Sequence, residues 1–353
     1  MKILLVGYGM AGRQIHTPLM IEAGGAPSVV ATANPERIAQ VHQDLPGAEV
    51  VAGLEEGLAR GPIDLVVLAS PTGAHVDGAL ACIAAGVPVV VDKPLAVDAP
   101  GAQRVVDAAA TAGAPLTVFL NRRWDAENLT LARLLAEQDD SGRTALGQVH
   151  RFERRWDRWR PQPLQRWREQ QSAEQGGGVL LDLGVHLVDS AVQLFGPVDQ
   201  VYGEISAVTT ASDDSVFLAL RHTNGIRSHL NASSIAAVPG PRTRVLGTRA
   251  GYLVSQFPGA ASVLGIDDAP GCTGWLYEGE SPRPVPTAPG APSDFYRAVF
   301  TALALTDPVA QQAAMPVDPA DAVVAQRILD ASRLSSAQGV VVDVTEDGEA
   351  PGS

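Results

Sequence analysis

An apolar run near the amino terminus passes directly into three closely spaced glycines: Lys2-Ile3-Leu4-Leu5-Val6-Gly7-Tyr8-Gly9-Met10-Ala11-Gly12. The run predicts a first strand, and the glycines open the helix that follows it. Gly7 allows a tight turn, Gly9 lets a ligand approach the backbone, and Gly12 lets the helix pack closely on the strand. The free N–H groups at the start of that helix favour a pyrophosphate. The motif therefore predicts a dinucleotide site, and a glycine-rich turn without a ligand is the alternative.

The first 120 residues alternate short β-rich runs with alanine-rich segments that have helical periodicity. The strand-like runs are 2–6, 28–33, 64–69, 88–91 and 116–119, and the helical segments are 11–23, 35–43, 73–85 and 98–112. Such alternation predicts a doubly wound parallel sheet with its ligand-facing loops at the carboxyl ends of the strands. We therefore predict a Rossmann dinucleotide-binding domain over residues 1–120.

The pattern changes after residue 120, and we predict a second, α+β domain over residues 121–353 for substrate binding and oligomerisation. Successive strands joined by short turns indicate an open, largely antiparallel sheet, and the fold class overall is α/β. We expect residues 258–292, which are rich in Pro and Gly, to be irregular, and the helix at 319–336 to pack back on the first domain. The predicted helices are 126–136, a run ending at 195, and 319–336, and the predicted strands are 147–156, 198–209, 214–221, 225–232, 242–247 and 339–344.

Composition limits the classes of partner. The chain has 353 residues and a net charge of −13, which argues against nucleic acid or an anionic membrane as the main partner. Cys82 and Cys272 are far apart, so neither a disulfide framework nor a metal site is indicated. No apolar stretch approaches the length of a membrane span, and we expect a cytoplasmic protein.

One basic segment departs from this acidic balance. Seven arginines between residues 151 and 168 are interleaved with Trp156, Trp159 and Trp167. A solvated, amphipathic strand and loop is the simplest interpretation. A nucleic-acid interface is disfavoured because no basic face continues beyond the segment.

The end of the second predicted strand indicates the choice of cofactor. An NAD site usually carries an acidic residue there for the ribose 2′-hydroxyl, whereas this chain has the neutral Thr32 and Ala33, with Arg37 shortly after. The missing carboxylate removes repulsion against a 2′-phosphate, and a guanidinium can pair with that group. NADP is therefore favoured over NAD, with a solvated Arg37 as the alternative.

Two further clusters contain residue types that can catalyse a reaction. Asp92-Lys93-Pro94 directly follows the fifth predicted strand, where a lysine can stabilise developing alkoxide charge. On a helix, Asp182 and His186 would be four residues apart, with Asp189 near the same face. A carboxylate beside an imidazole raises its basicity, as removal of a proton from an alcohol requires. A buried core network is the alternative interpretation of this second cluster.

Together these motifs resemble the glucose–fructose oxidoreductase/inositol dehydrogenase (Gfo/Idh/MocA) family over nearly the whole chain. Within the family the chain most resembles the branch that contains NADP-dependent scyllo-inositol dehydrogenase. The stretches that carry the resemblance are Gly7–Gly12, Asp92-Lys93-Pro94, Asn121-Arg122-Arg123-Trp124-Asp125, Arg158-Trp159-Arg160-Pro161, Arg166-Trp167-Arg168-Glu169, Asp182–Asp189 and Gly240-Pro241-Arg242.

The resemblance implies roles for individual residues. Lys93 is implied to be the catalytic lysine and His186 the acid/base, with Asp182 holding both the substrate hydroxyls and the histidine. The Arg–Trp segment, through Trp159 and Arg168, is implied to shape the mouth of the substrate pocket. The other residues implied to contact the cofactor are Ser70, Pro71, Thr72, His75, Asp92, Pro94, Asn121 and Arg122, of which Arg122 also approaches the substrate.

Four departures from the family pattern bear on the site. Asp92 replaces the usual glutamate before the lysine, which shortens a carboxylate on the cofactor side. Leu181 stands where the close branch has a tyrosine, and Val185 where it commonly has a small residue or proline. Thr32-Ala33-Asn34 also lacks the Ser-Arg pair of NADP-using relatives. These changes concern the substrate pocket and the cofactor preference.

The expected reaction is hydride transfer between nicotinamide and a secondary alcohol or ketone of a cyclitol or sugar. The open sheet of the second domain would serve as the interface of a homodimer or homotetramer. One alternative uses a bound nicotinamide transiently for non-redox elimination or hydrolysis. Another is a non-catalytic, NADP-sensing regulator, which is expected to lose Lys93 or His186, whereas this chain keeps both.

Overall fold

The computed structural model describes residues 1–163, 167–257, 262 and 264–344, with Trp167 described by its backbone alone. Its contacts divide the chain into two compact units. The first contains Met1–Asn121 and Pro292–Val324, and the second contains Arg122–Ala291 and the described residues from Ala325 on. The division into a dinucleotide-binding domain 1–120 and a substrate-binding domain 121–353 stays a prediction.

The first unit is built on a six-stranded sheet in the order β3-β2-β1-β4-β5-β6, in which every neighbouring pair is parallel. Strands covered on both faces need continuous apolar runs, as in the fully buried Leu65–Leu68. The order reverses between β1 and β4, so the crevice for a ligand lies outside their carboxyl ends. The strands are β1 Ile3–Val6, β2 Pro27–Ala31, β3 Glu49–Val51, β4 Leu65–Leu68, β5 Val89–Asp92 and β6 Leu116–Phe119.

Some helices of the first unit begin at side-chain caps. The Asn34 side chain accepts the Arg37 N–H at 3.1 Å, and Asp98 accepts the Gly101 N–H at 2.8 Å. The predicted first helix starts instead as a π-helical turn, Gly12–His16. The other helical segments are Thr17–Glu22, Pro35–Asp44, Leu54–Leu58, the 3₁₀ turn Thr72–Ala74, His75–Ala84, Ala99–Ala112, Asp294–Leu303 and Pro308–Ala313.

The second unit is built on a nine-stranded sheet in the order β14-β13-β12-β11-β7-β10-β9-β8-β15. All neighbouring strands are antiparallel except β7 and β10, so the predicted, largely antiparallel sheet is confirmed. The strands are β7 Val149–Asp157, β8 Val198–Ser206, β9 Ser215–His222, β10 Arg227–Ser233, β11 Thr243–Gly247, β12 Gly251–Val254, β13 Cys272–Glu278, β14 Ser281–Pro286 and β15 Val342–Asp343.

The prediction of irregular structure over 258–292 is wrong for its second half. β13 and β14 form an antiparallel pair there, although β14 contains Pro282, Pro284 and Pro286. A proline cannot donate to a sheet, but β14 is an edge strand and needs hydrogen bonds on one side only. Residues 258–261 and 263 lie outside the described residues.

One helix of the second unit packs across the sheet and carries the predicted catalytic histidine. Its residues Leu187, Val188 and Ala191 are buried, and the Phe195 ring lies 4.9 Å from that of Phe152 on β7. This packing fixes the face that His186 presents. The helical segments of this unit are the 3₁₀ turn Asn121–Trp124, whose first residue belongs to the first unit, Ala126–Ala136, Trp167–Gln170, the 3₁₀ turn Ala173–Gln175, the π-helical turn Leu180–Gly184 and Val185–Phe195.

Helix Pro319–Gln338 begins in the first unit and continues in the second. Across the described part of the chain, no helix combines the length and the apolar character needed to cross a membrane.

Candidate active site

The glycine loop after β1 forms a cradle that side chains would fill. Gly7 has a φ of 94°, and a Cβ on it would lie 2.7 Å from the carbonyl oxygen of Ala69. A Cβ on Gly12 would lie only 2.0 Å from the carbonyl oxygen of Gly7. Gly9 has no such neighbour, because the atoms nearest to a Cβ there lie 3.7 Å away. The loop is therefore closed on its protein side at Gly7 and Gly12 and accessible at Gly9, as a bound pyrophosphate requires.

A cavity of about 280 Å³ adjoins the loop. The nearest atoms to a Cβ on Gly9 belong to the Arg37 guanidinium, and Arg37 itself is exposed. Thr32 is buried at 8% exposure, whereas Ala33 is exposed. The cavity is lined by Tyr8, Gly9, Met10, Arg13, Gln14, Glu36, Arg37 and Gln40. These residues fit the adenosine half of a dinucleotide, with a guanidinium beside the glycine loop.

A larger cavity, of about 680 Å³, lies away from this loop. Its lining includes Asp64, Pro88 and Pro115, each of which directly precedes a strand of the parallel sheet. It therefore lies at the amino ends of the strands, opposite the edge where ligands bind in such sheets.

His75 joins two of the predicted cofactor segments. Its Nδ1 lies 2.8 Å from the carbonyl oxygen of Pro94, and its Nε2 lies 2.9 Å from that of Ser70. Burial lowers the pKa of His75, against the charge of Asp92, which raises it. The contacts tie the loop after β4, which includes Pro71 and the buried Thr72, to the loop after β5.

Asp92 ends β5 and directly precedes Lys93, whose peptide bond to Pro94 is cis. The carboxylate is buried, and its Oδ1 accepts the Lys93 N–H at 2.9 Å. Burial by itself raises the pKa of Asp92, but His16 and the charge of Lys93 outweigh it and bring the pKa to about 2. Asp92 is therefore ionised at neutral pH, at the carboxyl edge of the sheet.

In the second unit, Asp182 lies in the π-helical turn and His186 in the first turn of the α-helix that follows. Gly178 lies two residues before the turn and has no room for a side chain, because a Cβ there would lie 2.1 Å from Oδ1 of Asp213. The Asp213 carboxylate caps the turn by accepting the Leu180 N–H at 2.6 Å. Oδ1 of Asp182 lies 3.5 Å from Nε of Arg168.

Asp189, predicted near the same face, is engaged by Arg123. Nη2 of Arg123 donates to Oδ1 of Asp189 at 2.6 Å, and Nε donates to Oδ2 at 3.1 Å. Such a bidentate pair accounts for this buried carboxylate and anchors the turn Asn121–Trp124 to the helix.

Trp156 on β7 forms the floor beneath His186. The two ring centroids lie 5.7 Å apart with 26° between their planes. Three guanidinium carbons lie over the same indole, those of Arg122 at 4.8 Å, Arg242 at 5.0 Å and Arg158 at 5.4 Å. Arg122 is in turn held by Asp125, at 3.0 Å between Nη1 and Oδ2. The structure thus brings His186 and Arg122 to one aromatic side chain.

A small cavity of about 40 Å³ contains Asp182, Arg168 and Arg158 in its lining. Trp159, predicted at the pocket mouth, is 57% exposed and pairs with Ile235 across an isolated bridge. Arg166 and the side chain of Trp167, both part of the family resemblance, lie outside the described residues.

The solvated interpretation of the basic segment is wrong for Arg154. Its side chain is buried, with Nη2 3.3 Å from Oε1 of Glu127, whose Oε2 accepts from Nε of Arg242 at 3.1 Å. Burial raises the pKa of Glu127, but the charges of Arg154 and Arg242 outweigh it and hold the pKa at about 2. The signal was available, since strand alternation places Arg154 on the same face as the apolar Phe152 and Trp156.

Two models of known protein families match this chain. Residues 1–120 match the sequence model described as the oxidoreductase family with an NAD-binding Rossmann fold. Residues 140–253 match the Gfo/Idh/MocA C-terminal domain. The chain belongs to the Gfo/Idh/MocA oxidoreductase family. The predicted family and the predicted enzyme class, an NAD(P)-dependent dehydrogenase, are confirmed.

Three proteins illustrate how far the Gfo/Idh/MocA likeness extends. The scyllo-inositol 2-dehydrogenase (NADP(+)) IolW of Bacillus subtilis is 28% identical over 351 residues, covering 95% of this chain and 93% of that protein. The uncharacterized oxidoreductase YdgJ of Escherichia coli is 36% identical over 253 residues, 71% of this chain and 70% of its own length. The structure of the YPO2259 oxidoreductase from Yersinia pestis superposes with a TM-score of 0.82 at 30% identity, covering 98% of this chain and 97% of that one.

Proposed function

We propose that this protein transfers a hydride between nicotinamide and a secondary alcohol or ketone of a cyclitol or sugar, in the manner of scyllo-inositol dehydrogenase. The observation that carries the proposal is the carboxyl edge of the parallel sheet, where the glycine cradle follows β1 and Asp92-Lys93-Pro94 lies at the end of β5. The Bacillus subtilis relative, whose name states this activity, aligns with 95% of the chain and supports it.

The chemistry is divided between the cofactor and the protein. A bound nicotinamide supplies the hydride acceptor or donor. His186 accepts the proton of the reacting hydroxyl, and Lys93 donates a hydrogen bond to the same oxygen and stabilises its developing negative charge. Asp182 orients His186 and the substrate hydroxyls.

The residues around His186 favour this role over a purely structural one. His186 is only 6% exposed, so the Trp156 ring fixes its plane and shields it from bulk water. Asp182 keeps 24% of its side chain accessible and lines a cavity together with Arg168. A polyol offers several hydroxyls as donors and acceptors, and charged carboxylate and guanidinium groups hydrogen-bond them well.

We assign the cofactor as NADP in preference to NAD. Thr32 supplies no carboxylate for the ribose 2′-hydroxyl, and the Arg37 guanidinium lies beside Gly9 at the cavity. We further assign cofactor contacts to Tyr8, Met10, Ala11, Ala33, the segment 70–72, His75 and the turn at Asn121-Arg122. The homo-oligomer through the second sheet and the cytoplasmic location stay predictions.

The test is a panel of cyclitols, aldoses and keto-sugars, each incubated with NAD and with NADP and followed by the absorbance of the reduced nicotinamide. We expect turnover with a cyclitol or sugar, at higher kcat/KM with NADP. Product formation without a net change in the cofactor would instead show non-redox elimination or hydrolysis. Binding of NADP without turnover of any substrate would indicate a sensor.

A further inference from the structure

A row of three buried ionisable side chains lies in the first unit, and the proposed mechanism uses none of them directly. The row consists of Tyr296, His16 and Asp92, which are 0%, 0% and 5% exposed. The Tyr296 hydroxyl oxygen lies 2.5 Å from Nδ1 of His16. Nε2 of the same ring lies 3.6 Å from Oδ1 of Asp92, a contact longer than a direct hydrogen bond.

The chemistry of Asp92 and of Tyr296, the two ends of the row, determines which nitrogen of the His16 ring carries a hydrogen. An ionised carboxylate only accepts, so Nε2 carries the hydrogen that faces Asp92. In the neutral ring Nδ1 is then an acceptor, and Tyr296 donates to it. Burial, followed by the charge of Asp92, raises the pKa of Tyr296 well above its ordinary value, so the phenol keeps the proton that it donates.

Asp92 links this row to the proposed catalytic lysine. The Oδ1 atom that faces His16 also accepts the backbone N–H of Lys93, at 2.9 Å. The groups that lower the pKa of this carboxylate are His16 from the π-helical turn Gly12–His16, Lys93 itself, and His75 from the helix after β4. A displaced Asp92 carboxylate would therefore release one of the contacts that hold the Lys93 backbone.

Packing leaves the His16 ring little freedom to move. Its centroid lies 4.2 Å from that of Phe119, which contacts Phe295 at 4.9 Å and Tyr296 at 5.7 Å between centroids. Rings held in this way present one orientation to the buried carboxylate, and a buried charge depends on such fixed partners.

We propose that His16 is a positioning residue: backed by Tyr296, its ring holds the Asp92 carboxylate against the Lys93 backbone and so sets the placement of the Lys93 ammonium for the reaction. The proposal rests on the proposed function for its catalytic consequence, but the contact itself is measurable without substrate. His16 lies in the π-helical turn that continues the glycine loop, so the cofactor loop and the lysine loop share this support.

The first experiment uses nuclear magnetic resonance on the full chain without substrate or cofactor. With ¹⁵N-labelled histidine, we expect His16 to carry its hydrogen on Nε2 and to lose the Nδ1 hydrogen bond in Tyr296→Phe. With ¹³C-labelled aspartate, the Asp92 carboxyl should not titrate above about pH 4 in the wild type. It should do so in His16→Leu, because the largest of the contributions that offset burial is then lost. An Asp92 titration that is the same in both proteins would overturn the proposal.

The second experiment is a double-mutant cycle on kcat. We expect His16→Leu and Asp92→Asn each to lower kcat about tenfold, and the double variant to be no slower than the slower single variant. His16→Leu should leave the dissociation constant for NADP unchanged. His16→Gln, which keeps an N–H donor near the position of Nε2, should recover part of the loss.

Thr117→Val is the matched control. Thr117 is fully buried in the same unit and donates to the Val317 carbonyl oxygen at 2.9 Å, so this variant also removes one buried hydrogen bond. It should lower the melting temperature and leave kcat unchanged. If His16→Leu behaves in the same way, or if the losses in kcat from His16 and Asp92 multiply, His16 has only a structural role. Another outcome is a wild type that transfers no hydride while the Asp92 titration still depends on His16. That result would refute the proposed reaction and support the contact between His16 and Asp92.

Discussion

The imidazole of His186 is stacked on the indole of Trp156, with 5.7 Å between the ring centroids and 26° between the planes. Trp156 belongs to strand β7 and is 6% exposed, so the ring under the histidine is fixed by the sheet. The orientation of the proposed base is therefore set by a residue from a different element of the second unit.

Replacing Trp156 by Leu should lower kcat about tenfold, because the histidine then loses the surface that holds its plane. Steady-state kinetics against the best substrate of the panel measures this. Trp275→Leu, which removes an indole from β13 of the same sheet, is the control and should leave kcat unchanged. Equal kcat values for Trp156→Leu and the wild type would show that the stacking has no catalytic consequence.

Lys93→Ala and His186→Ala should fold and bind NADP, yet lose about 10² to 10⁴ in kcat, the range of a positioned acid or base. The losses should be less than additive because both groups serve one proton transfer. In the oxidation direction, kcat/KM of the wild type should rise with pH through a single ionisation. Circular dichroism and calorimetric titration with NADP verify folding and binding, and near-wild-type turnover of either variant would remove that residue from the mechanism.

NADP should bind more tightly than NAD, and Arg37→Ala should weaken NADP binding about tenfold while leaving NAD binding unchanged. Thr32→Asp should reverse the preference by repelling the 2′-phosphate. Isothermal titration with both cofactors measures these constants. Arg104→Ala, which removes an exposed arginine paired with Asp77, is the control. Tighter binding of NAD by the wild type would contradict the assignment.

Arg168→Ala should raise the KM for the sugar about tenfold, the effect of one charge-assisted hydrogen bond, with little change in the dissociation constant for NADP. The reason is that Arg168 pairs with Asp182 at 3.5 Å and lines the same cavity. Arg221→Ala is the matched control, because it also removes an arginine that pairs with an aspartate, here Asp199 on the sheet. Unchanged steady-state parameters would leave Arg168 as a structural partner of Asp182 only.

Glu127 should make the second unit sensitive to acid. The pKa of Glu127 is about 2 in the folded chain and about 4.3 in the unfolded chain. Its ionised form therefore stabilises the fold fully at pH values above about 4.3. That contribution, about 3 kcal/mol at neutral pH, is lost as the pH falls from about 4.3 towards 2. Glu127→Gln should therefore cost much less stability at pH 3 than at pH 7, as urea denaturation measures. Glu278→Gln, at an exposed pair with Arg283, should show no such dependence.

Local signals were sufficient to predict most of the fold. The apolar runs, glycines and caps of the first 120 residues act between neighbours in the chain, so the parallel strands and their helices follow from the sequence. β3 and the helix Leu54–Leu58 were missed because they are short, and β14 was missed because its three prolines obscure the strand pattern. The positions of Gly7, Lys93 and His186 in their elements were likewise readable from the chain.

The partners of the site residues were decided by the tertiary structure. Glu127 and Arg242 lie far apart in the sequence, as do His16 and Tyr296, and no local pattern states that each pair is in contact. The sequence alone predicts a solvated Arg154, but its side chain is buried because it pairs with the carboxylate of Glu127 from another element. Sequence periodicity determines which face of an element is buried, whereas the charges and rings packed against that face depend on how distant segments assemble.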